Sequence, residues 1–136
     1  ADESVDLTDT APSAILKTEN SWPEIAGFDM REAQYLLAGD LAFFKELLAP
    51  FLEDHANTVA EVRALIDAGN TQQASKRVHR LRGEAANLGA TTLKTAAAAL
   101  EKGLNHAATD IDIKFSDFEH AHFEVFTAAR EWLGND

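Results

Sequence analysis

Cysteine is absent from this 136-residue chain, which excludes disulfide staples, thiolate zinc sites and a catalytic thiol and fits a reducing, cytoplasmic setting. No apolar run approaches the roughly 20 residues that a membrane-spanning helix needs, and the N-terminus lacks the basic-then-apolar pattern of a signal peptide. The fragment is therefore expected to be soluble and to make no membrane contact. Positive charge is also scarce, with 12 Lys and Arg against 23 Asp and Glu and a formal net charge of -11. A surface of that sign repels a phosphate backbone, so nucleic acid is excluded as a general partner and any anion must be met locally. The chain has no strand-like alternation, no internal repeat and no glycine loop able to cradle a nucleotide phosphate. It does not begin with Met, which suggests a piece of a longer protein.

What remains is rich in apolar residues, at 46% of the chain, enough to bury a genuine core. Residues 1–21 are acidic, rich in Ser, Thr and Ala, and without a sustained apolar period, so they read as a flexible linker. Residues 22–136 read as one domain. Asp29 with Glu32 resembles a capping box opening a short helix that Ala38-Gly39 closes, and Asp40 caps the next. That next helix is expected to run from Leu41 to Asp67, with Phe44, Leu48, Phe51, His55, Val59, Val62 and Ile66 in phase and a kink in the turn before Pro50. Further helices are expected over Thr71–Leu88, Thr92–Leu104 with Thr91 as cap, and Ile111–Leu133. The fold class is all-α: an antiparallel four-helix bundle with an additional short N-terminal helix over one end.

One stretch departs from the charge balance. "SKRVHRLRG", Ser75 to Gly83, gathers Lys76, Arg77, Arg80 and Arg82 around His79. Ala74, Val78, Leu81, Ala85 and Leu88 step by four and three and define the buried stripe, whose centre lies roughly 140° around the helix from His79. His79 is thus expected in solvent, with Gln72, Ser75, Lys76, Arg82, Gly83 and Ala86 on its face. An imidazole is largely an uncharged nucleophile at neutral pH, and the flanking Lys76 and Arg82 suit a phosphoryl group carried on it. Gly83 costs a helix interior about 1 kcal/mol relative to Ala. Its place on this face suggests that something approaches closely, the bland alternative being relief of crowding inside the bundle.

"VHRLRGEAANLGATTLKTAAAALE", Val78 to Glu101, resembles the signature of histidine-containing phosphotransfer (HPt) domains. His79, Arg82, Gly83, Leu88-Gly89 and Leu100-Glu101 stand at the signature's phosphoacceptor, its basic residue (more usually Lys), its glycine, its turn and its Leu-Glu ending. The upstream "GFDMREAQYLLAGDLAFFKELLAPFLEDH" is similar to the family's short helix, Gly-Asp junction and long helix. The resemblance implies a phosphorelay carrier without its own ATP site: His79 accepts a phosphoryl group from a receiver-domain aspartate and passes it to another. It implies response-regulator receivers as partners, a monomeric domain that binds no cofactor, Mg2+ on the receiver, and a place at the C-terminus of a hybrid sensor kinase. Lys76 and Arg82 would supply electrostatics, and Gly83, Gln72, Ser75 and Ala86 the docking face. If the third and fourth helices form a hairpin about Gly89, Glu101 lies level with His79 and could accept a hydrogen bond from the ring nitrogen opposite the phosphorylated one.

Two other readings compete. In one, the four cations dock an acidic partner without chemistry. In the other the bundle holds a metal, for which Glu119 with His122 offers a single half-site of the usual Glu-x-x-His kind. His55 and His122 fall on apolar stripes and read as core residues, His106 lies in a turn, and His120 and His122 sit about 200° apart on one helix and cannot readily chelate one ion.

Overall fold

The computed structural model describes residues 22–134; the linker expected over residues 1–21 lies outside the described residues. Six helices follow in order: α1 (Met30–Leu36), α2 (Leu41–Asp54), α3 (Thr58–Asp67), α4 (Thr71–Asn87), α5 (Thr91–Asn105) and α6 (Ile111–Gly134). No strand occurs among the described residues. Helix α4 packs between α3 and α5, and α6 closes the bundle against α5 on one side and α2 and α3 on the other.

The apolar stripes turn inward as their spacing requires. Ala74, Val78, Leu81, Ala85 and Leu88 of α4 and its C-terminal turn are all buried, as are Leu93, Ala97, Leu100 and Leu104 of α5. From α6 come Phe115, Phe118, Val125 and Ala129, and from α2 Phe44, Leu48 and Phe51. The caps hold at the N-terminal end. The Asp29 carboxylate accepts from the amides of Arg31 and Glu32, and Asp40 accepts from Phe43, satisfying donors that a helix start leaves without partners. The reciprocal half of the capping box does not form. The amide of Asp29 donates to the Gly89 carbonyl at 2.8 Å instead, and Glu32 faces Lys94 at 3.9 Å, so α1 is tied over the α4–α5 turn.

Two expectations are corrected. Thr91 does not cap α5: Ala90 occupies the cap position with no side-chain bond, and Thr91 is the first helical residue. The amide of Thr92, one of the donors that the start of α5 leaves without a helical partner, is satisfied by the Gly27 carbonyl at 3.2 Å, so the segment before α1 completes this helix end from outside. The long helix expected over Leu41–Asp67 is two helices. The chain runs through Pro50 without a break and is interrupted at residues 55–57.

The cause of that interruption is a polar network around His55, whose side chain is 2% exposed. Its Nε2 stands 2.8 Å from Glu84 Oε1 and its Nδ1 3.0 Å from the buried Thr58 hydroxyl. A carboxylate can only accept, so Nε2–H donates to Glu84 and Nδ1 accepts from Thr58. The His55 carbonyl accepts from the His122 Nε2–H at 2.9 Å and from the Thr58 amide at 3.2 Å. Turning that carbonyl toward α6 removes it from a regular helical ladder, while the apolar stripe stays in phase on either side and hides the break from sequence.

His122 stacks on Phe126 with ring centroids 3.8 Å apart. Burial, ahead of the nearby charge of Arg130, pushes its pKa below the ordinary 6.5 despite the bond to the His55 carbonyl. Because the folded state holds this proton less tightly than the unfolded chain, the associated stability is complete above about pH 6.5 and declines as pH falls toward the lowered folded value. Denaturant unfolding of wild type should therefore show falling stability below about pH 6.5. His122→Gln should lose stability at neutral pH but lack that part of the acid decline, and equal pH slopes in the two proteins would contradict the assignment. A second expectation concerns Gly89, at φ +74° with a notional Cβ only 2.8 Å from the Asp29 carbonyl oxygen and 2.9 Å from Ala33 Cβ. Gly89→Ala should cost at least about 1–2 kcal/mol from the left-handed backbone alone, read as a lowered melting temperature.

Candidate functional site

Helices α4 and α5 run antiparallel from the Gly89 turn, and two side-chain pairs record their register. The Ser75 hydroxyl donates to Asn105 Oδ1 at 2.7 Å, and His79 Nδ1 lies 2.8 Å from Glu101 Oε2. Both pairs are centred on Ala90, the residue after that glycine, each residue lying as far before it as its partner lies after it. The hairpin therefore carries Glu101 to the level of His79 by backbone geometry.

His79 projects from the outer face of α4 with its side chain 62% exposed, and Glu101 beneath it is 16% exposed. Since the carboxylate can only accept, Nδ1 carries the ring hydrogen, and the lone pair of the neutral imidazole resides on Nε2. Nε2 makes no hydrogen bond among the described residues. Arg82 completes the cluster. Its Nε donates to Glu101 Oε1 at 2.8 Å, and its Nη2 stands 3.0 Å from His79 Nδ1. As Nδ1 already bears a hydrogen, that last approach pairs two donors. It places a guanidinium edge beside the ring, available to an anion attached to it.

The helical face expected around His79 divides into two flanks. Ser75, Arg82 and Ala86 lie on the side toward α5, and Gln72, Lys76 and Gly83 on the open side. Ser75 is corrected as a docking residue: it is 6% exposed and its hydroxyl is engaged with Asn105, so it joins α4 to α5 and is not offered to a partner. Ala86 and Arg82 are half-buried, whereas Gln72, Lys76 and Gly83 are exposed. A Cβ added at Gly83 would meet nothing within 4 Å. The crowding explanation for this glycine therefore fails, and its open space faces outward.

The four cations of this stretch do not form one patch. Arg77 pairs with Glu61 of α3 and Arg80 with Glu84 at 3.3 Å, leaving Lys76 and Arg82 as the pair that flanks His79. The metal half-site is not assembled either. Glu119 is exposed, His122 is buried and committed to the His55 carbonyl, and no group of three or more His, Cys, Asp or Glu among the described residues is placed to hold an ion. Sequence reasoning missed Asn105 and Glu84. The hairpin register would have found Asn105 opposite Ser75, whereas nothing local signals that Glu84 reaches His55.

A sequence model of the Hpt domain family matches residues 46–128, more than half of the chain and the whole stretch from His79 to Glu101. Neither the curated proteins nor the solved structures yield a match.

Replacement of Gly83 separates packing from access. With nothing to strike, Gly83→Ala should gain up to about 1 kcal/mol of helix stability, and Gly83→Leu should also unfold no earlier than wild type. A lowered melting temperature in Gly83→Ala would restore the crowding explanation.

Proposed function

The chain belongs to the Hpt domain family and so serves phosphotransfer in two-component signalling, and from that premise we propose that His79 is its phosphoacceptor, taking the phosphoryl group from a receiver-domain aspartate and passing it to another. The observation that carries this reading is the solvent-facing imidazole whose Nδ1 is occupied by Glu101 and whose Nε2 lone pair is free. The nucleophile is thus aimed outward and needs no separate base.

The surrounding residues take complementary roles. Lys76 and Arg82 offset the charge of the phosphoryl group and attract the acidic pocket of a receiver. Gly83, with Gln72 and Ala86, leaves the space through which the receiver's phosphoaspartate approaches. The domain is a carrier, and the Mg2+ and most of the catalysis belong to the receiver. We place the chain in the cytoplasm, as the C-terminal module of a hybrid sensor kinase. No helix of the described residues is long and apolar enough to cross a membrane.

Incubation with a phosphorylated receiver should yield acid-labile, base-stable phosphate on wild type and none on His79→Gln. The exposed substitution should leave stability within about 0.5 kcal/mol. Arg82→Ala and Lys76→Ala should each slow transfer, more at low salt than at high salt, because the attraction is long-range and screened. Labelling that persists in a folded His79→Gln protein would overturn the assignment. Wild-type rates in both cation variants at low salt would reduce the cluster to a solvated face.

A further inference from the structure

A groove of about 670 Å³ runs between α3 and α6, and no residue of α4 or α5 lines it, so it is separate from the His79 site. Its origin is a mismatch of side-chain size. Where α2 gives way to α3 the chain presents Ala56 and Ala60, while α6 opposite presents Phe123 and Phe126. Small methyls facing large rings leave room between the helices. The volume falls within the about 300–1,000 Å³ typical of small-molecule sites, which combine apolar walls with a few placed polar groups.

Two of those polar groups define what fits. His122 lines the groove and is 8% exposed. Its Nε2–H is committed to the His55 carbonyl, so Nδ1 of the neutral ring carries a lone pair. That atom has no hydrogen-bond partner among the described residues. A buried acceptor left without a donor is costly, and a ligand O–H or N–H would supply one. Arg130 is the second group. Its guanidinium lies 5.4 Å from the centre of the Phe126 ring and has no carboxylate partner among the described residues, in a chain of net charge -11. The start of α3 reinforces it. Asn57 makes no side-chain cap bond, which leaves the first amides of that helix open on the same groove to an anion.

We propose that this groove binds a small aromatic carboxylate that also carries a hydroxyl or ring N–H, with the carboxylate on Arg130 and the donor on His122 Nδ1. The flat body of such a molecule lies against rings. His122 and Phe126 stack at 3.8 Å, and Phe123, 70% exposed, offers a further aromatic face. The remaining charges limit the ligand to one carboxylate. Arg63 stands over Phe115 and is held by Asp67 at 2.6 Å, and Glu119 is an exposed carboxylate on the lining that would repel a second.

The test titrates the whole chain at neutral pH with 4-hydroxyphenylacetate and follows the backbone amides by 15N NMR. Saturable shifts should centre on Ala60, Phe123 and Thr127 and leave His79 unmoved, with a dissociation constant below about 1 mM. Tyramine replaces the carboxylate by an ammonium, and phenylacetate lacks the hydroxyl; each should bind at least about tenfold more weakly. Arg130→Gln should lose at least about tenfold in affinity at an unchanged melting temperature, since Arg130 touches only a ring. Ala60→Leu fills the groove from an exposed helical position and should abolish binding in a folded protein. Lys102→Gln removes a cation outside the groove and should bind like wild type. Absence of saturable shifts at the groove overturns the proposal, as do equal affinities for tyramine and 4-hydroxyphenylacetate or equal losses in Arg130→Gln and Lys102→Gln. Groove shifts that follow protein concentration without any probe would place a second copy of the chain there and overturn it as well.

Discussion

The antiparallel register of α4 and α5 is the constraint on which the site depends. It is set where the chain reverses at Gly89, held at φ +74° with the Asp29 amide bonded to its carbonyl. From the next residue, Ala90, equal numbers of residues climb each helix, so Ser75 meets Asn105 and His79 meets Glu101. A slip of one residue would rotate Glu101 by about 100° around α5 and take it from the imidazole. Helix α1 contributes from outside the α4–α5 hairpin: its cap residue and Ala33 pack on the turn and keep any side chain other than hydrogen from residue 89.

The opposite side of the bundle has its own lock, polar where the first is steric. His55 carries three commitments at once, to Thr58, to Glu84 on α4 and, through its carbonyl, to His122 on α6. Buried polar groups are costly unless they are paired, and His55 has both ring nitrogens and its carbonyl bonded where the helix is interrupted at residues 55–57. The interruption therefore joins three helices around one residue. Glu84 belongs to the same helix as His79 but serves this lock, so α4 supplies the outward site with one face and the inner network with another.

Charge is used sparingly around the candidate nucleophile. In a chain of net charge -11, Arg77 and Arg80 are neutralised by Glu61 and Glu84, and Arg82 is shared between Glu101 and the edge of the imidazole. A local anion would therefore meet two cations, Lys76 and Arg82, held at one helical turn on either side. Such a compact pair suits a small, highly charged group better than an extended acidic surface.

The sequence by itself determined the all-α class, the inward stripes of α4, α5 and α6, the turn at Leu88-Gly89 and the exposure of His79, because each follows from spacing within one helix and glycine punctuation. The resemblance of Val78 to Glu101 to HPt domains was likewise carried by local residues, and the hairpin argument reached the level of Glu101. The tertiary structure decided the rest. A helical wheel placed Ser75 on the same exposed face as His79, and only the position of α5 showed that this flank is covered. Periodicity continued unbroken from Leu41 to Asp67, and only contacts from Glu84 and His122, 29 and 67 residues further along the chain, explained why the helix stops at His55. Thr91 looked like a cap because its type suits that position, whereas the helix begins one residue earlier and one of its first free donors, the Thr92 amide, is met by Gly27 from across the end of the bundle. In each case the missing fact was which distant group arrives at a given polar atom. That is settled when the helices pack, and no window of local sequence contains it.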